Sequence, residues 1–336
     1  MAEGLCAEQV RLPATQGLIL DPVLVVQAVV SGLLFGGVYS LMAIGLTLIF
    51  GVMRVVNFAH GDLMVWAMYL AWLGATRFGV DPYVGFVGAA AILFVAGFVI
   101  QRQLVDRIVD APHEMQILLM LGVALVLENT ALVAFGPEPQ RVRTPLTQAA
   151  VWLGPVFVDV GRLVTFLVAI ALTAALWLFL YRSDLGRQMR AVADNGYGAH
   201  VIGTDVRHVS AVAFAVGAAC VGAAGALVIG TDVRRVYAVA FGIGAACVGA
   251  AGALVSSILP FQPPTGLSLS VTSFNVVIIG GMGSLAGAFV GGLVVSVAES
   301  LGAVFLKPSL KELFSFTLLI VILLFRPAGL FGKRAS

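Results

Sequence analysis

Charge is what this sequence has least of. Asp, Glu, Lys and Arg make up 11% of its 336 residues, against about 25% in an ordinary soluble domain. A globule of this size could not cover its surface with so few polar groups, which excludes a soluble fold. The residual charge is nearly balanced at +2, which argues against a nucleic-acid partner. Cysteine is equally scarce. Cys6 falls in the N-terminal tail, and Cys220 and Cys247 fall in apolar, small-residue stretches, where a thiol acts as a small hydrophobe rather than a redox or metal group. Residues 1–20 show no basic start followed by an apolar run, so no cleavable leader is read there. Segments of about ten alternating residues, the mark of a membrane β-barrel, are also absent.

Three catalytic signatures are missing too. A phosphate-binding loop needs G-x-x-x-x-G-K-[ST]. The Gly332-Lys333 pair is followed by Arg334, and Pro327 stands where the first glycine belongs. Neither G-x-S-x-G nor H-E-x-x-H occurs, so neither a serine nucleophile elbow nor a zinc-protease site is indicated. The chain reads as a non-enzyme without a bound cofactor.

What is present is apolar length. Mean hydropathy is +1.04, and 60% of residues are hydrophobic. Apolar segments run over 24–51, 61–76, 84–101, 115–136, 162–181, 209–229, 236–258, 271–304 and 313–326. Most are long enough to cross about 30 Å of hydrocarbon as helices, and only helices satisfy their own backbone there. The stretch 271–304 is too long for one pass and is interrupted by Gly280-Gly281-Met282-Gly283-Ser284, so it is predicted to make two short passes. The expected fold is an all-α polytopic bundle of about eight to ten helices, with a tail over 1–23, a membrane domain over 24–332 and a tail over 333–336.

Lys and Arg set orientation. Arg102 and Arg107 follow the third segment, Arg182, Arg187 and Arg190 the fifth, and Arg326, Lys333 and Arg334 the last. Placing the first two clusters in the cytoplasm puts the N-terminus outside, with Arg141 and Arg143 as a minor violation; without the extra repeat copy described next, the last cluster is cytoplasmic too. A tandem repeat complicates the count. Residues 203–228 and 230–255 are identical at 22 of 26 positions, at an offset of 27. If both copies span, the basic C-terminus is turned outward. Either one copy does not span, or the back half is inverted.

Between the fifth segment and the repeat lies a loop over 183–206. Arg187, Arg190 and Asp194, three and four apart, share one face of a short helix, and Ala191, Ala193 and Ala199 keep that helix slim. Such a surface docks into a cleft of a cytoplasmic partner; an ordinary basic loop is the equal alternative. Asn57, His60 and Asp62 sit between two spans. Charge at bilayer centre costs ~2.5–3.5 kcal/mol, so they either form a capping turn, with Gly61 as a break, or line a cavity. His60 alone is no metal site. Glu128 and Asn129 fall well inside the fourth span, as a polar lock between helices or as part of a pathway; an intramembrane carboxylate there pairs with an arginine or carries a proton. Glu299 reads as interfacial, with Lys307 or Lys311 as partner. Gly283, Gly287 and Gly291, like Gly32 and Gly36, repeat every four residues and read as close helix packing, with a dimer seam among them as a further option.

Several segments carry a resemblance. Gly36-Gly37-Val38-Tyr39-Ser40-Leu41, Val56-Asn57-Phe58-Ala59-His60-Gly61-Asp62, Leu127-Glu128-Asn129, Phe135-Gly136-Pro137, Gly280-Gly281-Met282-Gly283-Ser284 with Gly287, and Phe325-Arg326-Pro327-Ala328-Gly329-Leu330-Phe331-Gly332 occur in order. Together these resemble the permeases of branched-chain amino-acid ABC transporters, the LivH/LivM type, over about 24–332. The loop at Gly186, Arg187, Arg190, Ala191, Asp194 and Gly203 resembles the coupling loop by which such permeases seat in their ATPase subunits.

The resemblance implies a multi-pass protein of a bacterial-type inner membrane, working with a second permease, two cytoplasmic ATPase subunits and an external binding protein. It implies leucine, isoleucine or valine as substrate, with urea or short amides as the alternative inside the family. A self-contained channel or ion-coupled carrier is the rival from outside it. Tyr39, Asn57, His60, Glu128 and Asn129 are the expected polar positions of the path. The family has one helix after the coupling loop, whereas this chain has two copies; the second, with Arg234-Arg235-Val236-Tyr237, is the closer match.

Overall fold

The computed structural model describes residues 22–53, 55–108, 111–142, 144, 149–182, 233–305 and 310–332. Nine α-helices run through them: α1 (Pro22–Met53), α2 (His60–Phe78), α3 (Pro82–Gln103), α4 (His113–Phe135), α5 (Val160–Arg182), α6 (Val233–Val255), α7 (Thr265–Gly280), α8 (Leu285–Phe305) and α9 (Lys311–Phe325). By length and composition α1, α3, α4, α5 and α8 can each cross a membrane. The long 271–304 stretch is two helices. The first begins earlier than predicted, at Thr265, and the reversal runs over Gly281–Ser284, where Gly281 (φ 101°) and Gly283 (φ 84°) take left-handed backbone that a side chain disfavours. The predicted span 209–229, with the whole first repeat copy, lies outside the described residues.

Helix α1 is apolar around its whole circumference, the pattern of a helix surrounded by others. It is buried without a break from Gly36 to Ile49. Its glycines let a different neighbour approach on each side. A Cβ on Gly32 would lie 2.8 Å from Val297 Cα and one on Gly36 2.8 Å from Leu293 Cα, both on α8. On Gly37 it would meet the Phe166 ring of α5 at 2.8 Å, and on Gly45 the Gly244 carbonyl of α6 at 2.7 Å. Gly287 faces Gly280 and Gly291 faces the Val276 carbonyl, joining α8 to α7. These glycines are spent on contacts within the chain, so a dimer seam is not where they face. Gly283 differs from the packing role expected of it: no atom lies within 4 Å of its Cβ position, and it serves the turn.

Close approaches also give the helix directions. Along α1, Gly37 meets Phe166 and Ala169, and Ile44 shares a groove with Thr173, Leu176 and Trp177, so α5 runs parallel to α1. Gly45 meets Cys247 whereas Ile49 meets Gly244, so α6 runs antiparallel. Helix α3 is antiparallel to α6 in turn, because Gly242 packs on Phe94 and Gly249 on Ala90. The end of α5 at Arg182 and the start of α6 at Val233 therefore lie on the same face. That face also holds Arg102 at the end of α3 and, through Gly51 beside Gly283, the end of α1. The C-terminal turn is tied there as well: Leu330 N donates to Ile279 O (2.8 Å) and Phe331 N to Gly280 O (3.0 Å). Of the two options left by the repeat, an inverted back half is the one the helix directions rule out.

On the opposite face the chain forms a hairpin that the sequence reading did not anticipate. Strands β1 (Ala150–Leu153) and β2 (Val156–Asp159) pair antiparallel around Gly154 (φ 67°) and Pro155. Gln27 of α1 holds β2 from both sides of one residue: its Nε2 donates to Phe157 O and its Oε1 accepts from Phe157 N, each at 2.8 Å. Val156 and Val158 then seat on Leu34.

Candidate functional site: a helix that starts inside the bundle

Helix α2 begins deep in the protein. The His60 Nε2 lies 3.0 Å from the Met42 carbonyl. Met42 stands eleven residues before the end of α1, which at 1.5 Å per residue is about 16 Å back into the bundle. The same level is the middle of α3, since Leu93 and Phe94 pack on Gly249 and Gly242 while Gly45 and the His60 ring meet between them. Residues 55–59 return to that depth as non-helical backbone, with Val55, Asn57 and Ala59 fully buried. Irregular backbone at membrane depth survives only where protein or a water-filled cavity surrounds it.

Four polar backbone groups at the break, Phe58 O, Ala59 N, Ala59 O and Gly61 N, have partners. Asn57 Oδ1 accepts from Ala59 N at 3.0 Å, closing a local turn, and Leu63 N donates to Ala59 O at 3.0 Å as the first helical bond. Ser270 of α7 clamps both sides: its hydroxyl donates to Phe58 O (2.6 Å) and accepts from Gly61 N (2.8 Å). This clamp needs two glycines. A Cβ on Gly61 would fall on the Gly266 carbonyl and 2.5 Å from Ser270 N, and one on Gly266 would fall on the Asp62 carboxylate. Gly61 is thus not the helix break expected of it. It lies within α2, and the break is upstream.

Among the described residues, Asn57 Nδ2, His60 Nδ1 and Asp62 Oδ1 are buried without a hydrogen-bond partner. Glu128 of α4 is half-buried and close enough to Asp62 for the two carboxyl groups to interact. The site is a buried helix N-terminus, with its partial positive charge, at mid-depth beside unmatched donors and acceptors. Discontinuous helices of this kind bind polar groups of a solute within a membrane. No group of three metal-ligating side chains occurs among the described residues.

The family of branched-chain amino acid transport system permease components matches residues 28–229 and 228–323. The chain belongs to that family. The two matched stretches meet where the first repeat copy ends. This permease is 28% identical to the high-affinity branched-chain amino acid transport system permease protein BraD of Pseudomonas aeruginosa, over 91% of this chain and 95% of the relative. It is 27% identical to the LivH protein of Escherichia coli K12, over the same shares. It is 25% identical to a probable LivH permease of Methanocaldococcus jannaschii, over 89% and 90%. No solved structure matches it.

Not every position expected on the permease's path reaches the break. Asn57, His60 and Glu128 do. Asn129 is exposed on the far side of α4, where its amide donates to Leu125 O at 2.8 Å. Tyr39 points into the α1–α8 contact and donates to Glu299 Oε2 at 2.8 Å. Glu299 is buried there, where that hydroxyl and the nearby Ser315 and Lys311 supply a polar setting; Lys311 is one of the two partners expected of it. Gly186, Arg187, Arg190, Ala191, Asp194 and Gly203 of the coupling loop lie outside the described residues.

Sequence reasoning missed two parts of the site. Ser270 and Gly266 carried no signal, being small residues in an apolar run. The second part is an aromatic cluster above the break. Tyr69 stacks on Phe135 with centroids 4.1 Å apart and planes 7° apart, Phe261 meets Tyr69 edge-on at 5.0 Å, and the Trp66 indole donates to Leu127 O at 3.1 Å. Its signal was available: Trp66, Tyr69 and Trp72 recur every three residues, one face of a helix.

Proposed function

We propose that this permease is the membrane-spanning subunit of an ATP-driven importer of leucine, isoleucine and valine in a bacterial-type inner membrane. The observation that carries the reading is its alignment, over nine-tenths of the chain, with permeases named for branched-chain amino acid transport. A second permease completes the path. Two cytoplasmic ATPase subunits grip loop 183–206, with Arg187, Arg190 and Asp194 orienting it, and an external binding protein delivers substrate to the opposite face. The positions of Arg182 and Val233 support this arrangement, since both ends of the segment holding the loop lie on the face rich in arginine. Nucleotide binding draws the coupling loops together and switches the cavity from inward- to outward-facing. Asn57, His60 and Glu128 present polar groups to the solute at the helix break.

The test is co-purification of the tagged chain with an ATPase subunit, followed by leucine uptake into proteoliposomes. Capture of an ATPase that is lost when Arg187, Arg190 and Asp194 become Ala, together with ATP-dependent leucine uptake, is the expected result. Uptake of leucine without any ATPase would overturn the reading in favour of a self-contained carrier. Uptake of urea but not leucine would overturn the substrate.

A further inference from the structure

Helix α7 has two working faces. Ser270 and Gly266 hold the start of α2, and on the other side Ser268, Thr272 and Asn275 border a groove against α9. The groove has a volume of about 180 Å³ and is closed on the α9 side by Glu312, Ser315 and Phe316. An open groove with a carboxylate, an amide and hydroxyls is costly against lipid tails, so it faces water or a protein-lined path. Its unmatched groups include two acceptors. Asn275 is only 3% exposed, and its Oδ1 lacks any hydrogen-bond partner, although such a group buried alone is destabilising. Glu312 brings an exposed carboxylate in the first turn of α9. Two of its three hydroxyls are already committed as donors: Thr272 to Ser268 O at 3.0 Å and Ser315 to Glu312 O at 2.9 Å. Val271 and Phe316 add apolar wall. Two acceptors beside an apolar wall suit a group with several N–H donors on an aliphatic body.

We propose that the α7–α9 groove binds the ammonium group of an aliphatic amino acid, with Asn275 Oδ1 and the Glu312 carboxylate as its acceptors. This rests on the importer reading for the identity of the solute. Tyr39 is a positioning residue for the wall, holding the Glu299 carboxylate behind Ser315. Because the opposite face of α7 carries Ser270, a solute in the groove is one helix away from the break at Asn57–Asp62.

The experiment uses the full importer complex in lipid nanodiscs, with Cys6, Cys220 and Cys247 replaced by Ala and Thr272→Cys introduced. Labelling with the cationic reagent 2-aminoethyl methanethiosulfonate is compared with its anionic sulfonatoethyl counterpart. The cationic reagent is expected to react about tenfold faster or more, as an ammonium hydrogen-bonded to a carboxylate would. Leucine and 3-methylbutylamine should slow it, 4-methylpentanoate should not, and Glu312→Gln should abolish the preference. Equal rates for the two reagents, or protection by 4-methylpentanoate equal to that by leucine, would overturn the proposal. Uptake separates the two readings. In proteoliposomes, Glu312→Gln and Asn275→Leu should raise the KM for leucine about tenfold. Normal leucine uptake with unchanged KM in both variants sinks the groove alone. Absent leucine uptake in the unmutated complex, with cation-selective labelling retained, sinks the substrate reading alone.

Discussion

The tandem repeat permits an unusually controlled comparison. Deleting residues 203–229 leaves the second copy, and deleting 229–255 leaves the first. The resulting chains have equal length and differ at four positions, His208 for Arg235, Ser210 for Tyr237, Ala215 for Gly242 and Val216 for Ile243. The last two fall in the seat of α6. A methyl at Gly242 would stand 2.9 Å from the Phe94 carbonyl and 3.1 Å from its ring. The ring can swing away but the carbonyl belongs to α3, so the helices must part, for about 1–2 kcal/mol. Ile243 is almost fully buried, and valine there leaves a methyl-sized void worth about 1 kcal/mol. The chain keeping the first copy should therefore be less stable by about 2–3 kcal/mol, or on the order of 3–5 °C in Tm. Thermal unfolding of both proteins in one detergent measures this, and Ala215→Gly added to the weaker chain should recover about half of the loss. Equal Tm values for the two deletions, or no recovery with Ala215→Gly, would refute the packing argument.

Other substitutions test the break and the surface that supports it. Gly61→Ala should destabilise by about 2–4 kcal/mol, since its methyl meets the backbone of α7 and displaces the Ser270 clamp, whereas Gly122→Ala, which has nothing within 4 Å, should be neutral or stabilising by up to about 1 kcal/mol; Tm in detergent reads both. Ser270→Ala should lose about 2–4 kcal/mol by stranding Phe58 O and Gly61 N, and Ser273→Ala, which gives up only a bond to Leu269 O in its own helix, should lose far less. Gln27→Ala should release β2, read as faster amide exchange at Phe157 with little change in global stability.

How much of this was legible depended on whether the signal was local. Helices came from runs of apolar residues, and the reversal at Gly281–Ser284 from a dense glycine cluster. The motif around Asn57, His60 and Asp62 was visible as polar residues in a place where polarity is costly. Its geometry was not, because the depth of α2 is set by a contact between His60 and Met42, and the turn is held by Ser270, more than two hundred residues away in sequence. Gly61 misled for the same reason: glycine after a polar residue suggests a break, and only the passage of α7 reveals that close approach is what it serves. Tyr39 and Asn129 were placed by the company they keep in their motifs, which says nothing about the direction of a side chain on a helix. The β1–β2 hairpin was too short to show alternation, and its anchor is a glutamine in another element.

The end of α5 and the start of α6 on one face make the join between them a matter of parity. Whatever is inserted between Arg182 and Val233 leaves α6 through α9 pointing as before, provided that it makes no net crossing. A duplication of 27 residues that makes no net crossing changes the length of that join and leaves the direction of α6 to α9 as it was. A single added crossing anywhere else in the chain would reverse every helix after it.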